Sequence, residues 1–181
     1  MTTDALLYGA DLFGEPIRKV KAGPLAERFE FPPFSVLNAR EGEWQERKRA
    51  WLALGIEGEI GRAENLIKHS ATTSLVNKDT SIFDPVLCEL SYKWFCPVGG
   101  QIVDPFAGGS VRGLIAGLLG FRYLGIDLRH EQVQANEAQR EWIAPEADIA
   151  WLTGDSMEMM EQAPAGDFIF SCPPYGDLER Y

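Results

Sequence analysis

Four short segments in the second half of the chain combine polar side chains with glycine or proline in arrangements that suit ligand binding and catalysis. They are Asp104-Pro105-Phe106-Ala107-Gly108-Gly109-Ser110, Gly125-Ile126-Asp127, Thr153-Gly154-Asp155 and Ser171-Cys172-Pro173-Pro174-Tyr175. A glycine pair lets the backbone turn sharply and approach a ligand, and a carboxylate accepts hydrogen bonds from hydroxyl groups. Adjacent prolines stiffen a loop and leave its carbonyl oxygens free. These segments predict a site for a polar ligand.

Each of the four segments follows a short apolar run that is typical of a buried strand. We predict strands at 102–103, 122–126, 148–152 and 167–170, alternating with helices at 110–119, 130–142 and 156–162. Strands and helices that alternate at this spacing indicate a parallel sheet covered on both faces, which is a doubly wound, Rossmann-like α/β domain. In such sheets the ligand binds beyond the carboxyl ends of the strands, where all four segments are expected to lie.

The chain before this region is less regular. Glycine and proline interrupt residues 1–33, whereas two tryptophans at helical spacing predict a helix over 41–54, and a second amphipathic helix is predicted over 82–95. We therefore divide the chain into an N-terminal extension at 1–79 and the α/β domain at 80–181.

Composition and charge argue against several classes of protein. The chain has 181 residues, of which 45% are hydrophobic and 24% charged, the balance of one soluble globular domain. The net charge is −10, and −8 of it falls in residues 101–181, so any phosphate-contacting surface is expected in the first half. We interpret the basic run Arg47-Lys48-Arg49 as a solvated helix face, with a nucleic-acid patch as the alternative.

Cysteine usage and hydropathy predict a cytoplasmic protein without a membrane segment. Three cysteines without paired spacing form no disulfide framework, and the N-terminus lacks the basic-then-apolar pattern of a signal peptide. The longest nearly apolar stretch, 113–121, is far shorter than the ~20 residues of a membrane-spanning helix. Cys88 and Cys96 are predicted to pack in the core. No group of His, Cys and Asp has the spacing of a metal site, so no metal is expected.

The offset between the first two segments indicates the kind of ligand. Asp127 lies 23 residues after Asp104, close to the ~20-residue offset at which an acidic residue ending the second strand accepts hydrogen bonds from ribose hydroxyls. The alternative role for Asp127 is to cap the next helix. Together with the turn at Gly108-Gly109, this pair predicts an adenosine-containing cofactor.

With these motifs in place, the sequence resembles the S-adenosylmethionine-dependent amino-methyltransferases that modify adenine N6 or cytosine N4 in DNA. Residues 104–110 are similar to their motif I, the methionine-binding loop, and Cys172-Pro173-Pro174-Tyr175 to their motif IV, while residues 80–85 occupy the place of motif X. The resemblance spans roughly residues 80–175 and implies the class I methyltransferase form of the Rossmann-like fold. The stretch 44–49 is similar to methylases of phages and mobile elements, which implies a restriction-modification setting.

The resemblance implies two sets of site residues. S-adenosylmethionine is the implied cofactor, held by Thr80, Ser81, Phe83, Asp104, Pro105, Phe106, Ala107, Gly108, Gly109, Ser110, Asp127, Leu128, Asp155 and Ser156. The implied catalytic residues are Ser171, Cys172, Pro173, Pro174 and Tyr175, and the implied partner is DNA with its target base flipped out. Within the first set Asp155 resembles the acidic residue that meets the adenine of the cofactor, with helix capping as its other role.

The residue types of motif IV fit the methylation of an exocyclic amine. Such a nitrogen is a poor nucleophile because its lone pair is delocalised into the ring, so a site must accept hydrogen bonds from both N–H groups. A side-chain acceptor and a proline carbonyl can do this, and the ring of Tyr175 can stack on the base. The family has Asp, Asn or Ser directly before the two prolines, so either Cys172 or Ser171 is the acceptor here.

Other interpretations stay open at this point. Cys172 is alternatively a covalent nucleophile, and Pro-Pro-Tyr is alternatively a structural turn or part of a proline-rich ligand motif. Because the family's sheet has seven strands and we predict only four, we expect a truncated methylase. The alternatives to a DNA methyltransferase are an RNA amino-methyltransferase and a non-catalytic nucleotide-binding or interaction module from a decayed methylase.

Overall fold

In the computed structural model, which describes residues 37–57 and 83–173, helices and strands form where the sequence predicts them. The helices are α1 (Glu43–Leu52), α2 (Pro85–Phe95), α3 (Val111–Leu118), α4 (His130–Ile143) and α5 (Ser156–Met159). The strands are β1 (Gln101–Asp104), β2 (Arg122–Asp127), β3 (Ile149–Thr153) and β4 (Phe168–Ile169). Their ends differ from the prediction by a few residues. Helix α2, for example, begins only after Asp84, whose side chain caps it.

The four strands form one parallel sheet in the order β3-β2-β1-β4. The connections from β1 to β2 and from β2 to β3 run in one direction, and the connection from β3 to β4 passes back across both. Because parallel crossovers are right-handed, this reversal places α3 and α4 on one face and α5 on the other. The predicted doubly wound α/β fold is therefore confirmed. The described residues cover the second face only in part, since Ile169 of β4 is 62% exposed.

Helix α3 packs close to the sheet because two of its residues are glycines. A Cβ atom on Gly113 would lie 2.4 Å from Cζ2 of Trp151, and one on Gly117 would lie 2.4 Å from Cδ1 of Ile149. Protein cores are packed too densely to absorb such overlaps without a shift of the helix. The glycines therefore set the distance between α3 and strands β2 and β3, on the face where Tyr123 and Ile149 are buried.

Helix α1 is attached to α2 by a buried ion pair. Glu89 of α2 is fully buried and accepts hydrogen bonds from the guanidinium group of Arg47 and, at 2.8 Å, from Nε1 of Trp51. Nζ of Lys93 lies 3.2 Å from the same carboxylate. Burial alone raises the pKa of Glu89, but Arg47 more than offsets this and holds the pKa below its usual range. The interpretation of Arg47 as part of a solvated face is therefore wrong, because its guanidinium group is buried and neutralises the buried carboxylate of Glu89.

The last residues of the range 37–57 are hydrogen-bonded to α4 and packed against it. The side-chain oxygen of Gln139 accepts a hydrogen bond from the Glu57 N–H at 2.9 Å, and its Nε2 donates to the Glu57 carbonyl at 2.8 Å. Trp142 of α4 packs directly over Gly55. Residues 37–57 thus pack onto the α/β unit at both ends of the segment. The predicted domain boundary at residue 79 lies outside the described residues and stays a prediction.

The structure shows where two of the cysteines lie and how apolar the helices are. Cys88 and Cys96 are buried, as predicted, and their burial raises the pKa of both thiols. Within residues 37–57 and 83–173, no helix is long and apolar enough to cross a membrane. In the same part of the chain, no three His, Cys, Asp or Glu side chains are grouped so that they could hold a metal ion.

We expect Glu89→Gln to lower the free energy of unfolding by about 3 kcal/mol at pH 7, because Arg47 would be left buried without its counter-charge. Folding lowers the pKa of Glu89, so its carboxylate stabilises the fold fully above its ordinary pKa of 4.5, and this stabilisation is lost as the pH falls below that value. Urea denaturation at a series of pH values should therefore show a steeper acid loss for the unmodified protein than for the variant. Glu146→Gln, at an exposed loop position, is the matched control. Equal acid dependence of the unmodified protein and Glu89→Gln would contradict this account.

Candidate active site

The carboxylate of Asp104, at the end of β1, lies at the centre of the candidate site. Asp104 is fully buried, and its Oδ2 accepts hydrogen bonds from Nε of Arg112 at 2.6 Å and from the hydroxyl of Tyr123 at 2.7 Å. Its Oδ1 accepts from the hydroxyl of Ser171 at 2.6 Å and from the Phe106 N–H at 3.2 Å. Four donors use the four lone-pair positions of a carboxylate. Asp104 therefore holds the groups around it in place through these four hydrogen bonds.

Arg112, in the first turn of α3, holds the loop that follows β1. Its Nη2 donates to the carbonyl oxygens of Phe106 at 2.6 Å and Ala107 at 2.9 Å. The guanidinium carbon lies 4.6 Å from the ring centroid of Phe83, a cation–π contact. Burial alone lowers the pKa of Arg112, but the charge of Asp104 raises it above its usual range. Sequence reasoning missed this residue, although a single charge in an otherwise apolar helix was a signal for it.

The glycine turn between β1 and α3 lies against the end of β2. Gly108 has a φ angle of +51°, a conformation that favours glycine, and its N–H donates to Oδ2 of Asp127 at 2.9 Å. Oδ1 of the same half-buried side chain accepts from the Arg129 N–H at 2.9 Å. Each carboxylate oxygen of Asp127 therefore keeps a lone pair for a further donor. The structure therefore brings Asp127 together with the glycine turn, the two features from which the sequence predicts an adenosine-containing cofactor.

Two buried amides of α4 support the turn from the other side. Nδ2 of Asn136 donates to the Gly108 carbonyl at 2.8 Å, and Nε2 of Gln132 donates to Oδ1 of Asn136 at 3.0 Å. Both amides are almost inaccessible to solvent. Sequence reasoning missed them, but two amides four residues apart share one helix face with Val133, which is the pattern that identifies a buried polar pair.

Ser110, immediately before α3, is fully buried, and its hydroxyl has no hydrogen-bond partner among the described residues. Leaving a buried hydroxyl unpaired costs about 1–3 kcal/mol. The N-terminus of a helix presents unpaired N–H groups and the positive end of the helix dipole, both of which attract anions. An unpaired hydroxyl beside a glycine turn at this position fits a carboxylate or phosphate group of a ligand.

The third segment reaches the same edge of the sheet. The Gly154 N–H donates to the Asp127 carbonyl at 3.0 Å, which joins the ends of β3 and β2. Asp155 is exposed and caps α5 by accepting a hydrogen bond from the Met157 N–H at 2.9 Å. Leu128 and Met157, which follow the two acidic residues, are exposed apolar side chains. The capping role of Asp155 is therefore present, and its contact with a cofactor stays a prediction.

The fourth segment is joined to the first by Ser171. Its hydroxyl donates to Oδ1 of Asp104 at 2.6 Å and accepts from the Phe106 N–H at 3.1 Å. Cys172 is half-buried and Pro173 is exposed. Three other predicted residues, Pro105, Gly109 and Ser156, are half-buried at this end of the sheet. The remaining predicted residues, Thr80, Ser81, Pro174 and Tyr175, lie outside the described residues.

Comparison with known proteins gives partial matches. No family model matches the chain. Over 78 residues, or 42% of this chain, the sequence is 33% identical to the tRNA (guanine(10)-N2)-dimethyltransferase of Pyrococcus abyssi (strain GE5 / Orsay), and the match spans 23% of that protein. Among solved structures, the chain is similar to the C-terminal domain of precorrin-6Y C5,15-methyltransferase from Rhodobacter capsulatus. The TM-score is 0.46 and the identity 14%, over 68% of this chain and 63% of that one. Both proteins are methyltransferases by name.

We expect Ser110→Ala to leave the free energy of unfolding unchanged or to raise it by about 1 kcal/mol, because the variant removes a buried hydroxyl that has no partner among the described residues. This is the reverse of the usual loss when a capping serine is replaced. Asp84→Ala is the control with a working cap. Its side chain accepts hydrogen bonds from Val86 and Leu87 at the start of α2, and it also contacts Trp44 and Lys48, so the variant should lose about 1 kcal/mol or more. Chemical denaturation measures both. A loss in Ser110→Ala equal to that of the control would contradict the prediction.

Proposed function

We propose that this protein transfers a methyl group from S-adenosylmethionine to an exocyclic amino nitrogen of a nucleobase. The observation that carries the proposal is the meeting of loop 104–110 with segment 171–173, through the hydrogen bonds of Ser171 to Asp104 and Phe106. The two segments follow β1 and β4, the strands between which the strand order reverses. In doubly wound sheets the ligand crevice lies at this reversal. A site with one segment on each side suits two ligands that react with each other.

The groups around the glycine turn fit the parts of the proposed cofactor. S-adenosylmethionine, when bound, supplies a methyl group attached to a positively charged sulfur. Asp127 retains lone pairs that suit ribose hydroxyls, and the unpaired hydroxyl of Ser110 at the start of α3 suits the carboxylate of the methionine part. The exposed side chains of Leu128 and Met157 offer apolar surface to the adenine ring.

The segment after β4 suits the amine that accepts the methyl group. Its part in the reaction is to accept hydrogen bonds from the N–H groups and to hold the nitrogen lone pair in line with the methyl group. Carbonyl oxygens of Cys172 and Pro173 are suitable acceptors, because the proline rings restrict the backbone and hold these carbonyls in a fixed direction. The sequence supports Tyr175 as the ring on which the base stacks.

The proposal has two candidate substrates, DNA and RNA. The motif resemblance favours DNA, with adenine N6 or cytosine N4 as the methylated atom. The 33% identical match over 78 residues favours RNA as a second candidate, because that relative is named for guanine N2 of tRNA, which is also an exocyclic amine. The contacts proposed for the amine would serve either polymer, so both belong in one experiment.

We expect the protein to bind S-adenosylmethionine saturably in calorimetry and Asp127→Ala to weaken binding by about tenfold or more, because a charge-assisted hydrogen bond contributes about 1.5–3 kcal/mol. Tyr175→Ala should leave the affinity nearly unchanged and slow methyl transfer, through the loss of stacking that contributes about 1–3 kcal/mol. Asp148→Ala, at an exposed position before β3, is the matched control and should change neither quantity. Circular dichroism checks the fold of each variant. Equal losses of cofactor affinity in Asp127→Ala and Tyr175→Ala would contradict the assignment.

Transfer of labelled methyl groups to DNA and RNA of matched sequence decides the substrate. Mass spectrometry of the digested product should find the label on an amino nitrogen of adenine, cytosine or guanine. A folded protein that binds no S-adenosylmethionine would overturn the cofactor assignment. Cofactor binding without transfer to either polymer would favour the non-catalytic nucleotide-binding module.

A further inference from the structure

We propose that the hydroxyl of Ser171 is a latch between the two loops of the candidate active site. The inference rests on the proposed function, and it separates the residue that positions the loops from the residues that contact the amine. Ser171 becomes a positioning residue, and the acceptors proposed for the amine are the carbonyl oxygens of Cys172 and Pro173. The sequence alone leaves Ser171 and Cys172 as equal candidates for that contact.

The hydrogen-bonding capacity of Ser171 is the first reason. A serine hydroxyl has one proton and two lone pairs. The proton is donated to the buried carboxylate of Asp104 at 2.6 Å, within the range of charge-assisted O–H···O⁻ bonds, and the Phe106 N–H donates to the oxygen at 3.1 Å. Turning the whole Ser171 side chain toward a base would remove a donor from a fully buried charge and leave Phe106 with a single, longer bond of 3.2 Å to Asp104.

The position of Asp104 in the site is the second reason. The same carboxylate that accepts from Ser171 also holds Arg112, whose Nη2 donates to the Phe106 and Ala107 carbonyls of the cofactor loop. Ser171 is therefore connected to that loop by two routes, one through Asp104 and one through the Phe106 N–H. Removing its hydroxyl should loosen the loop that binds the cofactor, although Ser171 belongs to the segment that binds the base.

This connection separates the latch from the alternative role. A residue that only accepts a hydrogen bond from the amine contributes nothing to cofactor affinity in the absence of nucleic acid. A latch contributes to that affinity as well as to the rate of transfer, because it holds the cofactor loop in place before the base arrives. The two roles therefore predict different effects on binding and on the maximal rate.

The experiment measures S-adenosylmethionine affinity by calorimetry without nucleic acid, and the methyl-transfer rate at saturating cofactor. We expect Ser171→Ala to weaken cofactor binding about tenfold, since a hydrogen bond to a charged group is lost, and to slow transfer as well. Ser171→Thr keeps the hydroxyl and should bind the cofactor within about twofold of the unmodified protein. Slowed transfer with unchanged cofactor affinity in Ser171→Ala would overturn the latch and assign the hydroxyl to the amine.

Two further comparisons complete the test. Cys172→Ala should keep cofactor affinity within about twofold, because it removes a side chain that makes no proposed contact with the cofactor loop. If Ser171→Ala does not fold, the isosteric pair Ser171→Thr and Ser171→Val makes the same comparison, and equal affinity in that pair overturns the latch. A folded, unmodified protein that binds no cofactor overturns the proposed function itself. Binding by the unmodified protein with equal affinity in Ser171→Ala overturns the latch alone.

Discussion

A single buried charge, the carboxylate of Asp104, determines how the ends of the strands are arranged in this protein. Withdrawing a carboxylate from water costs several kcal/mol unless donors replace the lost hydration. Here the donors come from α3, from β2, from the loop after β1 and from the segment after β4. Burial and the neighbouring charge of Asp104 raise the pKa of Tyr123 well above its usual range, so that hydroxyl keeps the proton it donates. One ion therefore fixes four parts of the chain at the edge where a ligand would bind.

A second buried carboxylate plays a comparable part in the outer layer of helices. Glu89 holds α1 on α2 through Arg47, as Asp104 holds α3 on the strand ends through Arg112. Tyr92 connects the two layers, since its hydroxyl donates to the Arg112 carbonyl at 3.1 Å and its ring packs edge-on against Phe170, with centroids 5.4 Å apart. Buried pairs of this kind are costly to break and tolerate few alternative partners. The placement of the helices therefore depends on specific contacts as well as on apolar area.

The sequence predicts the fold well because the evidence for it is local. Alternating strands and helices, a glycine turn and the offset of Asp127 can all be recognised within short stretches of the chain, and the structure brings Gly108 and Asp127 together. Contacts between distant residues carry no such signal. The partner of Ser171 lies 67 positions earlier, and the partner of Arg47 lies 42 positions later, so the latch was missed and a buried arginine was interpreted as a surface one. The placement of Thr80, Ser81, Pro174 and Tyr175 rests on the sequence alone.

The two glycines of α3 have a consequence for the position of the residues at its N-terminus. Gly113 and Gly117 let α3 pack closely against Trp151 and Ile149, and Ser110 is the N-cap residue of the same helix. The position of Ser110 relative to the strand ends is thus set by atoms one and two helical turns further along α3. A change from glycine to alanine at either position would push α3 away from the sheet and shift its N-terminus. A substitution on the underside of the helix can in this way change the geometry of the candidate site without changing any residue proposed to bind there.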